Sequence, residues 1–155
     1  MSVKNLTPKK GQFKQGYYEQ INNKYVGPLP IIYRSSWEYK FMIYCDKNES
    51  IVKWSSESMR IKYYNPIDKK FHHYYPDFYM EVLKDGELKK YIVEIKPSSL
   101  LKKPVQPKRM TEQAYNNYKY AAREFTKNYY KTEAAKKIAS EMGMQYIILT
   151  EKSLR

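Results

Sequence analysis

One dipeptide, Asp85-Gly86, constrains the fold of this chain more than any other feature. Asp-Gly between two β-forming runs is the strongest local signal for a tight hairpin. The flanks supply those runs, because Phe71 to Val82 and Tyr91 to Ile95 are rich in aromatic and β-branched residues. With Asp85 and Gly86 at the turn centre, the numbers of facing residues sum to 171, so Asp77 stands opposite Glu94. A two-residue loop and a symmetric four-residue loop give the same register; a bulge would shift it. Side chains alternate along a strand, so Glu94 and Lys96 share a face and Asp77 joins them there.

Facing residues have β-carbons about 5 Å apart, and two carboxylates at that spacing repel. A hard divalent cation between them removes the conflict. Mg²⁺ takes one or two protein carboxylates and completes its shell with water and phosphate oxygens. Tyr74-Tyr75-Pro76-Asp77-Phe78 and Ile92-Val93-Glu94-Ile95-Lys96-Pro97 embed the three charges in apolar flanks, where a charged side chain needs a partner. The competing reading is a surface hairpin on which Lys96 merely screens two acids. The apolar flanks weigh against it.

The partner class follows from charge. Lys and Arg number 29 against 16 acidic residues, a formal +13 in 155 residues, and such an excess attracts polyanions. Nucleic acid leads. An anionic membrane is disfavoured because no basic amphipathic helix carries Leu or Trp along one side, and no apolar run approaches the roughly 18 residues of a span. The 18 tyrosines, interleaved with basic residues, suit backbone binding with base stacking as well as core packing. The length allows one domain with a core that needs no staples. The lone Cys45 excludes an intramolecular disulfide and fits a reducing compartment. The start, Met-Ser-Val-Lys-Asn, lacks the apolar core of a signal peptide, so a soluble intracellular protein is expected.

Taken in order, residues 1–32 carry little periodicity and are expected as an extended basic arm over a domain at 33–155. A helix is expected over Tyr33 to Asp46, with Ser35 or Ser36 as N-cap and Glu38 in the first turn, where the helix dipole favours an acid. Trp37, Phe41 and Tyr44, with Met42 and Cys45 alongside, form its expected buried stripe. Ile51 to Trp54 reads as a short strand and Met59 to Tyr64 as a half-buried antiparallel one. Between them Glu57 is either a further acidic ligand or a loop residue. His72 and His73 point to opposite faces of a strand, and no Cys or second His lies at zinc spacing, so zinc is rejected.

After Pro97, the stretch Ser98 to Met110 holds Lys102, Lys103, Lys108 and Arg109 and no acid. It is a candidate clamp on phosphates, as against a solvated linker. Thr111 caps a long helical region, in which Ala114, Tyr118, Ala121, Ala122 and Phe125 are expected to face the core. Lys119 is a candidate DNA contact. Around Lys131-Thr132-Glu133 the pattern allows a break into two helices. Gly143 sits where a C-cap belongs, and Met144 to Thr150 reads as a strand buried on both faces.

Pro76-Asp77 followed, seventeen positions after Asp77, by Glu94-Ile95-Lys96 resembles the motif of the PD-(D/E)XK nucleases. The resemblance implies a restriction-endonuclease-like α/β fold: a mixed β-sheet in the order αβββαβ with helices on both sides. It implies phosphodiester hydrolysis with Mg²⁺, or Mn²⁺ as substitute, held by Asp77, Glu94 and the Ile95 carbonyl. In the same family Glu38, from the first helix, would join the site as a further candidate metal ligand, and Lys96 would position or activate the attacking water. Lys24-Tyr25-Val26-Gly27, Tyr33-Arg34-Ser35-Ser36-Trp37-Glu38 and Trp54-Ser55-Ser56-Glu57 are similar, more narrowly, to the head-completion nucleases of contractile-tailed phages. That likeness implies a DNA endonuclease of virion assembly, acting after DNA packaging in the host cytoplasm, beside head, portal or neck proteins or associated with the virion. Transposon-end endonucleases share the Glu, Asp, Glu-x-Lys arrangement. A transposon-end or junction-resolving enzyme therefore stays open, as does a non-catalytic basic DNA-binding or head-closure protein.

Overall fold

The computed structural model describes residues 15–154. Two short strands, β1 (Gly16–Tyr17) and β2 (Ile32–Tyr33), pair ahead of the helix α1 (Ser36–Lys47). There follow β3 (Ile51–Ser56), β4 (Ile61–Asn65), β5 (Lys70–Tyr74), β6 (Phe78–Lys84) and β7 (Glu87–Ile95). A long helix, α2 (Glu112–Glu141), and a last strand, β8 (Gln145–Leu149), complete the chain. The central sheet has the order β3-β6-β7-β8. Its first three strands are antiparallel, and β8 joins β7 in parallel. A parallel join needs a crossover, which α2 provides. β4 and β5 form a separate antiparallel hairpin. With that hairpin set aside, the order from α1 onward is αβββαβ, the expected mixed α/β arrangement.

The turn sets the register as its residues require. Asp85 at φ 53° and Gly86 at φ 75° both lie in the left-handed region, the geometry of a two-residue type I′ hairpin. Pairing then runs from Lys84↔Glu87 to Phe78↔Val93 without a slip. The strand expected to be continuous from Phe71 to Val82 is two strands. Pro76 has no amide hydrogen for a ladder, and at Tyr75–Asp77 the chain leaves its pairing with β4 and enters the central sheet.

Alternation along the strands gives the sheet two different faces. Phe78, Met80, Val93, Ile147 and Leu149 meet Phe41, Met42 and Cys45 of α1, with Trp54, in the main core. Tyr146 points the other way, into a second cluster with Ile61, Tyr63, Tyr74 and Ala135 of α2. The two helices therefore cover opposite faces.

Several elements differ from expectation, each for a local reason. The buried residues of α1 are Phe41, Met42, Cys45 and Asp46, while Tyr44 is 51% exposed. Asp46 turns the helix: its carboxylate accepts from the Tyr18 hydroxyl at 2.6 Å, the Ile21 amide at 2.8 Å and the Trp54 indole at 3.1 Å. α2 is unbroken through Lys131-Thr132-Glu133, since a β-branched Thr costs a helix well under about 1 kcal/mol. Only Ala135 and Ala139 of α2 are fully buried; Ala114, Tyr118, Ala121, Ala122 and Phe125 are half-buried, because the second cluster lies against the C-terminal half of the helix. β8 ends the sheet, so its residues are partly exposed instead of buried on both faces.

Residues 15–32, expected as part of an extended arm, run over the domain and enter its packing. Tyr18 and Ile31 are core residues, and Tyr25 bridges to Trp54. Residues 1–14 of that expected arm lie outside the described residues. Among those described, no helix is long and apolar enough to cross a membrane.

Candidate active site

The site forms where β6 begins and β7 ends. Asp77 lies one step beyond the last ladder pair, Phe78↔Val93, and so faces Glu94. Its Oδ2 accepts the Ile95 amide at 2.8 Å, which locks the carboxylate to the neighbouring strand. In extended backbone the N–H and C=O of one residue share an edge, so the Ile95 carbonyl also looks toward Asp77. Glu94 lies on the face covered by α2, and its Oε2 accepts from the Tyr74 hydroxyl, which in turn lies 3.1 Å from the Tyr146 hydroxyl. Lys96 follows the end of β7. Its amide donates to the Leu149 carbonyl at 2.9 Å, so pairing with β8 sets where the chain leaves the sheet.

These groups hold unbalanced charge. Burial raises the pKa of the Asp77 carboxyl, and the charges of Glu94, Glu38 and Glu57 add to that effect against the Ile95 amide. Burial likewise raises Glu94, opposed by the Tyr74 hydroxyl and by Lys96 and Lys131. Burial lowers Lys96, while Glu94 and Asp77 hold it up. Two desolvated carboxylates side by side favour any cation that can enter.

Glu38 is on the inward side of α1, at helical spacing from Phe41, Met42 and Cys45. Its amide donates to Ser35 Oγ at 3.1 Å, and its carboxylate accepts from that hydroxyl at 3.3 Å and from the Arg34 amide at 3.4 Å. Ser35 is therefore the N-cap, and Glu38 reaches back one residue further than in a regular capping box, to the amide before the cap. Burial raises the Glu38 carboxyl too, and its charge reaches Asp77. Glu57 is held by Arg34 through Nε–Oε1 at 3.1 Å and Nη2–Oε2 at 3.3 Å, and its amide donates to the Asp77 carbonyl at 3.0 Å. Its φ of 49° costs a non-glycine residue about 1–2 kcal/mol, which these bonds offset.

Among the described residues, no three His, Cys, Asp or Glu side chains gather into a ready cage for an ion. The pair fits a sparser arrangement. One oxygen of each carboxylate is engaged, by Ile95 and by Tyr74, and the second oxygens and the Ile95 carbonyl remain as donors. An all-oxygen set with two carboxylates suits Mg²⁺ or Mn²⁺, whose remaining positions go to water and phosphate.

The expected phosphate clamp leaves the site through a 3-10 turn, Ser98–Leu101. Ser98 anchors it by donating from its amide, at 2.8 Å, and from its hydroxyl to Glu151. Lys102, Lys103, Lys108 and Arg109 are exposed beyond that anchor, and Lys119 is exposed on α2. The structure adds Tyr74, Tyr146 and Lys131, for which the sequence held no signal. Tyr74 belongs to a different hairpin, and Lys131 sits where the helical pattern weakens. Arg34 lies within the stretch Tyr33 to Glu38, yet its partner Glu57 is apparent only in the fold.

Two comparisons bear on this geometry. The family model described as the TnsA-like endonuclease N-terminal domain matches residues 48–151, a span that contains Asp77, Glu94 and Lys96 and begins after Glu38. The chain is also 35% identical over 134 residues to the head completion nuclease of Enterobacteria phage T4, covering 86% of this chain and 87% of that protein.

Proposed function

The chain belongs to the TnsA-like endonuclease family, of PD-(D/E)XK nucleases, and on that premise we propose that it is a Mg²⁺-dependent DNA endonuclease acting through Asp77, Glu94 and Lys96. The observation that carries this reading is the Asp77 carboxylate, bonded to the Ile95 amide opposite Glu94, with Lys96 two residues along the same face. Asp77, Glu94 and the Ile95 carbonyl are the ligands, and Mn²⁺ can replace Mg²⁺. When bound, the ion supplies Lewis acidity toward a phosphate oxygen and the leaving oxygen.

The remaining chemistry belongs to the chain's own groups. Lys96 orients the attacking water by donating from Nζ. Its lowered pKa brings its neutral form, which can take the water's proton, closer to working pH. Tyr74 holds Glu94 in place by its hydroxyl. Glu38, from α1, would hold a second ion or orient the first, and Lys102, Lys103, Lys108, Arg109 and Lys119 contact DNA phosphates. Replacing Asp77 with Ala is expected to cut cleavage of duplex DNA at least about 100-fold and to leave DNA affinity within a few-fold. Cleavage at the wild-type rate by Asp77→Ala would remove the assignment.

The likeness to a protein named for head completion supports a setting in phage assembly, on DNA already packaged and beside head, portal or neck proteins. The test is complementation of a T4-type phage that lacks its head completion nuclease. Wild-type chain is expected to restore infectious particles and Glu94→Ala is not. Restoration by Glu94→Ala would favour a head-closure protein that needs no cleavage.

A further inference from the structure

α2 carries a feature that the acidic pair does not explain. Lys131 is half-buried, and its Nζ lies 5.4 Å from the centre of the Tyr74 ring and 5.8 Å from that of Tyr63. Tyr74 is the same residue that bonds Glu94, so the ammonium is held beside the site by the group that holds the acid. Among the described residues the ion pairs are those of Arg34, His72, Lys127 and Lys136; Lys131 is in none. A desolvated ammonium with no carboxylate in direct contact is costly. Burial lowers its pKa, as do Lys127 and Lys96, against the pull of Glu94 and Glu124.

Charge matching points to the missing anion. A divalent ion balances Asp77 and Glu94 and Arg34 balances Glu57, so Lys96 and Lys131 exceed the one remaining acid near Asp77, Glu38, by a single positive charge. Lys131 is also the inner end of a row. Lys119, Arg123, Lys127 and Lys131 recur every four residues on one side of α2, about 18 Å at 1.5 Å per residue. That length covers about five base-pair steps of a DNA strand. At its outer end Lys119 and Arg123 line, with Tyr115, Tyr118 and Ile67, a shallow groove of about 290 Å³. Lys127 is tied to Glu124 at 3.0 Å, so the row is strongest at its two ends.

We infer that Lys131 is a second phosphate-binding cation of the active site, the inner end of a cationic row on α2 that leads one DNA strand to the acidic pair. This deepens the endonuclease reading and rests on it. The ligand is a phosphodiester backbone, read without regard to base.

The test is binding of a short linear duplex, in EDTA, across a salt series, with melting temperatures and cleavage in Mg²⁺ measured on the same proteins. Lys131→Met keeps the aliphatic stem. It is expected to reduce the slope of log Kobs against log[salt] by about one and to slow cleavage roughly 10- to 100-fold. Lys131→Arg is expected to restore the slope. Lys136→Met, an exposed change further along α2, is expected to leave both readouts unchanged. The exposed double change Lys119→Gln with Arg123→Gln probes the row without touching the core, and should lower the slope by about two. A wild-type slope in either Lys131→Met or the double variant overturns the inference, as does a Lys131→Met protein that loses only melting temperature. If the wild-type chain itself neither binds nor cleaves DNA, the endonuclease reading falls and takes this one with it. If wild type does both and the variants match it, the row is wrong and Lys119 is no phosphate contact, while the acidic pair keeps its assignment.

Discussion

The Tyr74 hydroxyl ties a hairpin outside the central sheet to Glu94 near the end of β7. A hydrogen bond to a charged group is worth about 1.5–3 kcal/mol, so Tyr74→Phe is expected to slow single-turnover cleavage roughly tenfold or more while DNA affinity holds. An unchanged rate would show that Glu94 needs no such tether. The acidic pair also sets a pH dependence. The folded-state pKa values of Asp77 and Glu94 lie above their ordinary values, so the folded state keeps protons that the unfolded state has released. Their contribution is full below the ordinary carboxyl range near about 4 and is lost as pH rises through the raised values. The metal-free melting temperature of wild type should therefore fall, relative to Asp77→Asn, as pH rises above about 4. Mg²⁺ binds the ionised pair, so the rise it produces in melting temperature should grow with pH; a rise independent of pH would contradict the ligand assignment. At this scale Asp77, Glu94 and Lys96 are legible in the sequence because a two-residue turn determines the register for every residue after it. Tyr74 and Lys131 are not, because nothing local links residues 20 and 37 positions from Glu94.

Among the elements, α1 shows how one buried polar group overrides an apolar pattern. Trp37, Phe41 and Tyr44 recur at helical spacing, yet Asp46 faces inward, with three donors on its carboxylate. Its rotation brings Glu38 onto the inward side and binds residues 18–21 to the helix. Asp46→Ala orphans those donors and is expected to cost at least about 3 kcal/mol. The expected readout is earlier protease cutting between residues 15 and 32, ahead of any loss of the sheet; simultaneous loss of both would show that the segment and sheet unfold as one unit. Pro76 is similarly decisive, and its effect was available in the sequence: a residue without an amide hydrogen cannot continue a ladder, so the run from Phe71 had to break there. The partial exposure of β8 was not available, because a continuous apolar run looks the same in a central strand and at an edge whose inner face is covered.

For the whole molecule, α1 and α2 on opposite faces of one mixed sheet give the two sides separate work. The α1 face holds the main core. The α2 face holds the second cluster and Glu94, with the basic row Lys119, Arg123, Lys127 and Lys131 on the helix that covers it. A formal +13 spread over such a body would make the proposed DNA binding strongly salt-dependent, but charge by itself gives affinity without cleavage. The central claim is that the acidic pair, loaded with metal, cuts DNA. Incubation of supercoiled plasmid with wild type in Mg²⁺, with wild type in EDTA and with Glu94→Ala in Mg²⁺ tests it most directly. Nicked or linear product is expected in the first reaction alone. Product in EDTA, or from Glu94→Ala at the wild-type rate, would contradict it, as would intact plasmid in all three reactions while the DNA is bound.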